Sequence, residues 1–254
     1  MNLIHLKTID STNAESLRFL CAAQNVRELD QTVIAADEQS AGRGRLKRAF
    51  YSPANTGLYF TAIYAPKKPI DDPALLTACA AVAVCRSLKE FFNVEAKIKW
   101  VNDIYVNDKK VCGILAEGHL GPDGLIDAAA IGIGINIYPS DFPVEISGRA
   151  GAVLSKDFSQ GQEGDDVRLN LARDISQKLF EILNDPSLAE EALKEYADLS
   201  FIVGKEITVT PIIGDERSAY PATVLGIDKK ARLLVRLLDG SERALSSGEI
   251  SIKI

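Results

Sequence analysis

The chain has 254 residues, 46% apolar and 25% charged, with 18 Gly and 10 Pro, a make-up that excludes disordered, collagen-like and coiled-coil proteins. Its 29 Lys and Arg stand against 35 Asp and Glu, a formal charge of −6. The field of the whole molecule therefore opposes non-specific binding to nucleic acid or anionic lipid, and any anionic ligand has to be met by a local cluster of cations.

The N-terminal segment Met1-Asn2-Leu3-Ile4-His5-Leu6-Lys7 has neither the basic start nor the long apolar run of a secretory signal. The longest nearly apolar run, Ala74 to Cys85, is about half of the roughly 20 residues a membrane-spanning helix needs. A folded cytoplasmic protein with no membrane span is expected. Cys21, Cys79, Cys85 and Cys112 form no CxxC pair, and His5 and His119 are the two histidines. These are too few soft ligands for an ordinary zinc site, and the cysteines read as buried thiols in a reducing compartment.

Asp10-Ser11-Thr12-Asn13 offers N-cap side chains ahead of Ala14 to Cys21, where Leu17, Leu20 and Cys21 fall on one helical face. Short polar side chains are thus expected at a helix mouth. Gln31 to Ala36 and Gly57 to Ala65 read as strands, and between them Gly42-Arg43-Gly44-Arg45-Leu46-Lys47-Arg48 puts four cations into a seven-residue loop. Pro73 fits the first turn of a helix running to about Phe92, packed with Ala, Leu and Val on most faces.

From Ala96 the texture predicts a strand meander. Its members are Lys97 to Trp100, Ile104 to Val106, a turn at Asn107-Asp108, Val111 to Ala116, a Gly121-Pro122-Asp123-Gly124 turn, and Leu125 to Ile137. Asp165 to Leu183 and Ser187 to Leu199 look helical. After Gly204 come short strands, Ile207 to Thr210, Ala222 to Ile227, Leu233 to Leu238 and Ile250 to Ile254. They form a second small β module, which places domains at 1–203 and 204–254.

Three segments are unusual enough to carry chemistry. Gly42 to Arg48 combines flexible glycines with guanidinium groups, as a clamp over phosphates or carboxylates requires, and is expected to be mobile when empty. The plainer reading is a solvated loop. Lys99-Trp100-Val101-Asn102-Asp103, with Lys109-Lys110 across the next hairpin, brings short polar groups and a lysine to one rim of a sheet, although Asn-Asp is also ordinary turn chemistry. Ile131-Gly132-Ile133-Gly134-Ile135-Asn136 interrupts a β-branched run with glycines that mark close approach of a ligand or backbone, or a bulge. It has no third glycine and no following helix, so it is not a dinucleotide fingerprint, and the chain contains no P-loop and no Gly-x-Ser-x-Gly.

Taken in order, Ser11-Thr12-Asn13, Gln39-Ser40-Ala41-Gly42-Arg43-Gly44-Arg45, Ser52-Pro53 with Gly57-Leu58-Tyr59-Phe60, Lys99 to Tyr105, Lys110 to Glu117 and Gly132 to Asn136 resemble a biotin protein ligase. Ser247-Gly248-Glu249-Ile250-Ser251 also looks like that family's C-terminal module. The resemblance implies an α+β fold, a mixed β-sheet catalytic domain backed by helices of the class II aminoacyl-tRNA synthetase/biotin ligase kind, then a small SH3-like β-barrel. It implies an ATP-dependent ligase that makes biotinoyl-AMP with Mg²⁺ on the phosphates, and then biotinylates one lysine of a biotin carboxyl carrier protein.

Carried over by resemblance, Lys110, Arg45, Arg48 and Asp103 are catalytic, with Asp103 orienting or deprotonating the acceptor lysine. Ser11, Thr12, Asn13, Gln39, Gly42, Arg43, Gly44, Arg45, Lys110, Gly113 and Gly132 form the biotin site. Arg43, Arg45, Arg48, Phe50, Asn102, Lys110 and Asn136 form the ATP site, and no dedicated protein metal site is implied. Lys47, Phe50 and Val101 depart from residues the family often has, Gly, Trp and Pro respectively. The motif begins at residue 11, which leaves no room for the DNA-binding domain of the repressor form. A lipoate-type ligase of the same fold and a non-catalytic biotin-binding protein are the alternatives. A homodimer through an exposed strand edge is compatible with the reading.

Overall fold

The computed structural model describes residues 1–155, 165–211 and 218–252. Seven strands, β1 (Asn2–Ile9), β2 (Thr32–Gln39), β3 (Gly57–Tyr64), β4 (Lys97–Lys99), β5 (Asp103–Val106), β6 (Lys109–Leu120) and β7 (Ile126–Asn136), form one sheet in the order β1-β2-β3-β7-β6-β5-β4. The β1–β2 pair is parallel and the other neighbours are antiparallel, so the sheet is mixed as expected.

Strand alternation assigns the two faces. Leu58, Phe60, Ala62 and Tyr64 of β3, Cys112, Ile114 and Ala116 of β6, and Ala129, Ile131, Ile133 and Ile135 of β7 belong to the main core. That core is closed by α2 (Pro73–Phe92), α4 (Asp165–Asn184) and α5 (Pro186–Asp198). Asp72 caps α2 by accepting from Ala74 N at 3.0 Å, and Pro73 opens it; the apolar composition of this helix fits its burial on nearly every side. The opposite face carries Tyr59, Thr61 and Ile63, Gly113, Leu115 and Glu117, and Gly132 and Gly134. Against it packs α1 (Thr12–Ala22), whose Leu20 joins Ile63, Ala65 and Ala128 in a smaller cluster.

A short helix, α3 (Val144–Ser147), follows β7. The C-terminal module is a five-stranded antiparallel sheet of β8 (Glu206–Thr210), β9 (Tyr220–Ile227), β10 (Leu233–Leu237), β11 (Glu242–Leu245) and β12 (Glu249–Ile252), ordered β11-β10-β9-β8-β12. It is moored to the first sheet by Trp100, whose buried Nε1 donates to Ala231 O at 2.9 Å. The outer edge of β4 is covered by the connection between the modules, through Ile98 N to Leu199 O at 2.9 Å and Phe201 N to Ile98 O at 3.2 Å.

Four features differ from the expectations. β1 reads poorly as a strand because it is an edge element with exposed residues on both faces, and its parallel partner β2 lies a helix away. β11 is short and largely exposed, so it lacks alternation. Cys21 is exposed, unlike the other three cysteines, because the buried face of α1 is Thr12, Ser16 and Leu20 and a residue one step past Leu20 turns away from the sheet. The last predicted strand is seen over Glu249–Ile252, and its residues Lys253 and Ile254 lie outside the described residues.

Candidate functional site

The site grows from the first turn of α1. Ser11 is the extended N-cap residue, its Oγ accepting from Ala14 N at 3.4 Å. Thr12 and Asn13 then point at the sheet and are 3% and 4% exposed, so every polar atom there needs a partner. Gln39 Oε1 accepts from Thr12 N at 2.8 Å and from Thr12 Oγ1 at 3.1 Å. Thr61 Oγ1 donates to Asn13 Oδ1 at 2.7 Å and lies 2.9 Å from Thr12 Oγ1. Asn13 Nδ2 donates to Leu115 O at 3.2 Å and to Glu117 Oε2 at 2.9 Å.

The glycines on this face admit side chains from above. A Cβ at Gly132 would stand 2.7 Å from Asn13 Cγ, and one at Gly134 would stand 2.5 Å from Phe50 Cε1. Gly113 lies under both Phe50 and Lys110, 3.2 Å and 3.5 Å from such a Cβ. The room left at Gly132 and Gly113 is thus partly taken by the protein's own Asn13 and Phe50.

The arginine segment is a folded flap and not an open loop. Arg43 bridges Ala49, Phe50 N donates to Gly42 O at 2.8 Å, and Gly44 N donates to Arg48 O at 2.8 Å. Arg45–Lys47 make one 3₁₀ turn, in which Leu46 and Lys47 hold φ of 55° and 60°. Each arginine has its own anchor. Arg43 Nη2 meets Glu117 Oε1 at 3.0 Å. Arg45 donates to Asn102 Oδ1 at 3.1 Å and to Gly248 O at 3.3 Å. Arg48 pairs in a fork with Glu249, at 2.6 and 2.8 Å. The C-terminal module therefore supplies two of the flap's contacts.

Facing the flap, Lys110 Nζ lies 2.5 Å from Asp103 Oδ1. A register shift puts Lys110 there: Ile104 pairs with Cys112 but Tyr105 pairs with Lys110. Its backbone is held from the other side, Lys110 N donating to Arg149 O and Gly151 N to Lys110 O, both at 2.9 Å. Asn136 Nδ2 donates to Gly151 O at 3.0 Å, which ties the end of β7 to the same strap. Burial lowers the basicity of Lys99, with Lys110 and Arg149 adding to the effect and Asp103 opposing it. Burial also lowers Arg45, against the attraction of Asp103 and Glu249. The Cys112 thiol is pushed well above its ordinary range by complete burial, which makes it a poor nucleophile.

The helix mouth, the flap arginines, Phe50, Asn102, Asp103, Lys110 and Asn136 line one cleft of about 640 Å³. Arg43, Arg45, Arg48, Lys99, Lys110 and Arg149 line it against Asp103 and Glu249. In a protein of charge −6 this is a strongly cationic pocket, suited to a polyanion. Among the described residues no group of three or more His, Cys, Asp or Glu is placed to hold a metal ion. The cleft lining includes the candidate residues read from the sequence except Gly42, whose carbonyl is turned to Phe50 N inside the flap; beside them the structure adds Thr61, Glu117 as a hub and the 149–151 strap. Thr61 had a visible signal, an aliphatic hydroxyl in a strand otherwise built of apolar and aromatic residues.

The Biotin/lipoate A/B protein ligase family matches residues 6–136. The chain belongs to this family. The Biotin protein ligase C terminal domain matches residues 203–253. The chain is 41% identical over 117 residues to the bifunctional ligase/repressor BirA of Bacillus subtilis, which covers 45% of this chain and 36% of that protein. It is 35% identical over 134 residues to a biotin--[acetyl-CoA-carboxylase] ligase of Paracoccus denitrificans, covering 52% of this chain and 53% of the other. The matches to the first curated relatives thus span about a third of those proteins' length. Among solved structures, a biotin protein ligase from Aquifex aeolicus in complex with biotin and ATP aligns with TM-score 0.76 at 28% identity, over 99% of this chain and 98% of the other. No helix among the described residues is long and apolar enough to cross a membrane.

Proposed function

We propose that this family member is an ATP-dependent biotin ligase, which joins biotin to ATP as biotinoyl-5′-AMP and then transfers the biotinoyl group to one lysine of a biotin carboxyl carrier protein. The observation that carries it is the cationic cleft in which a helix-mouth amide cluster, the arginine flap and the Lys110–Asp103 pair meet on one sheet face. The fold shared with a ligase that binds biotin and ATP supports it. The match of residues 203–253 to the biotin ligase C-terminal domain favours biotin over lipoate.

In the first step a carboxylate oxygen of biotin bonds to the α-phosphorus, the bond from that phosphorus to the bridging oxygen breaks, and pyrophosphate leaves. Two unit charges about 4 Å apart repel by roughly 4 kcal/mol at an effective dielectric near 20, so the approach needs cations. Lys110, Arg43, Arg45 and Arg48 supply them at fixed positions. Ser11, Thr12, Asn13 and Gln39 recognise the ureido and carboxylate end of biotin, with Gly113 and Gly132 leaving room for the ring system and Gly42 and Gly44 shaping the flap that covers it. Phe50, Asn102 and Asn136 face the adenylate. Magnesium enters on the ATP phosphates as part of that substrate; the cleft acids Asp103 and Glu249 are both engaged by cations.

In the second step the acceptor ammonium loses a proton, the free amine bonds to the acyl carbon, the bond from that carbon to the phosphate oxygen breaks so that AMP leaves with the electron pair, and the nitrogen gives up a second proton to become the amide. On this reading Asp103, paired with Lys110 at 2.5 Å before the acceptor arrives, orients the acceptor or takes the first proton. The flap excludes water from the mixed anhydride. Residues 1–203 form the catalytic domain and 204–254 its C-terminal partner, and the buried thiols fit a reducing cytoplasm.

Mass spectrometry of a carrier domain incubated with this protein, biotin and MgATP tests the reading. One added biotinoyl group is expected, absent when lipoate replaces biotin. No mass gain with a competent carrier would reject it.

A further inference from the structure

Glu117 stands on β6 two residues beyond Leu115, on the cleft face, with 24% of its side chain exposed. Its two oxygens serve different parts of the protein. Oε2 accepts from Asn13 Nδ2 at 2.9 Å, and Oε1 accepts from Arg43 Nη2 at 3.0 Å. Asn13 belongs to the helix mouth and Arg43 to the opening rung of the flap.

The far end of the flap is tied to the same turn by a different route. Gln39, which accepts from Thr12 N, donates through Nε2 to Ser52 Oγ at 2.9 Å, and Ser52 Oγ donates to Phe50 O at 3.0 Å. Both ends of the segment Arg43 to Phe50 are therefore fastened to the first turn of α1. Gln39 and Ser52 do so with neutral groups, Glu117 with a charge.

We propose that Glu117 is a positioning residue that couples the helix mouth to the flap, by holding Asn13 and Arg43 with opposite oxygens of one carboxylate. A ligand that contacts Asn13 then meets an amide whose orientation is shared with Arg43, and ordering one orders the other. Arg43 is 45% exposed at its side chain, so the pair is too wet to matter greatly for folding and acts through orientation. The inference rests on the reading of the cleft as a biotin and ATP site.

The test is a double-mutant cycle in biotin-dependent ATP–pyrophosphate exchange, with wild type, Glu117→Gln, Arg43→Gln and the pair. Glutamine keeps an acceptor for Asn13 but offers Arg43 a neutral amide. Glu117→Gln is expected to raise the KM for biotin about fivefold with kcat within about twofold, and in the Arg43→Gln background to change KM by less than about twofold. Tryptic cleavage at Arg43 and Arg45 should quicken in the single variant. An unchanged KM, or an equal fold-change in both backgrounds, overturns the coupling while leaving the ligase reading intact. A variant whose melting temperature and kcat fall while KM holds marks a structural carboxylate and also overturns it. Wild type without exchange activity overturns both.

Discussion

Replacing Gly132 by alanine probes the cleft at its most crowded point. The new Cβ would stand 2.7 Å from Asn13 Cγ and closer still to Oδ1, and Asn13 is 4% exposed, so the amide has to leave its position. It then loses Thr61 Oγ1 at 2.7 Å, Leu115 O at 3.2 Å and Glu117 Oε2 at 2.9 Å. Hydrogen bonds between neutral groups contribute about 1 kcal/mol net and those to a charged group about 1.5–3 kcal/mol, which sets the loss near 4 kcal/mol. Removing a strand glycine returns about 0.5–1 kcal/mol. The expected net destabilisation of about 3 kcal/mol corresponds to a Tm lower by roughly 6–12 °C in a chain of this size. Calorimetric melting reads this directly, and isothermal titration with biotin should show weaker binding, because the displaced amide moves toward the ligand's space. The decisive comparison is Gly132→Ala in an Asn13→Ala background, where the methyl has room and should cost under about 0.5 kcal/mol beyond Asn13→Ala itself. A Tm within about 1 °C of wild type, or the same cost in both backgrounds, would refute the reasoning.

Lys110→Ala removes the cation 2.5 Å from Asp103; pyrophosphate exchange should fall by about 100-fold or more, with biotin affinity reduced less than tenfold, and unchanged turnover would reject its role. Trp100→Phe deletes the buried donor to Ala231 O and should cost about 1–2 kcal/mol, seen as earlier melting of the C-terminal sheet; an unaltered single transition would count against the mooring. Lys47 holds a φ of 60°, so Lys47→Gly should relieve about 1 kcal/mol and leave the flap as protease-resistant as before, whereas Lys47→Val should speed cleavage at Arg45 and Arg48. Asp10 is lowered from 3.8 to about 2 by hydrogen bonds from Arg18 and from Ser11 N–H. Its contribution is therefore complete above about pH 4 and disappears as pH falls toward 2. The Tm gap between wild type and Asp10→Asn should narrow over that window, and a gap independent of pH would refute the assignment. Because the pair is exposed, the gap corresponds to less than about 1 kcal/mol.

Much of the architecture is written locally. Asp72-Pro73 announces α2, Ser11 announces α1, and the Gly121 to Gly124 turn separates β6 from β7, because caps and turns are settled by backbone groups within a few residues of the side chains that satisfy them. The motif residues and their order likewise pointed to most of the cleft's lining, though not to Arg149 and Ala150, and Gly42 lies outside it. The through-space partners were of another kind. Arg43 meets Glu117 across 74 positions and Arg45 meets Gly248 across 203, and no local pattern encodes such pairs. The parallel docking of β1, the filling of Gly132 by Asn13 and the turning outward of Cys21 depend on which strand lies beside which and which face α1 presents. Chemistry local to the backbone was legible from residue order. The wiring between helix mouth, flap and C-terminal sheet exists once the sheet closes, because its energy belongs to pairs that only packing makes neighbours.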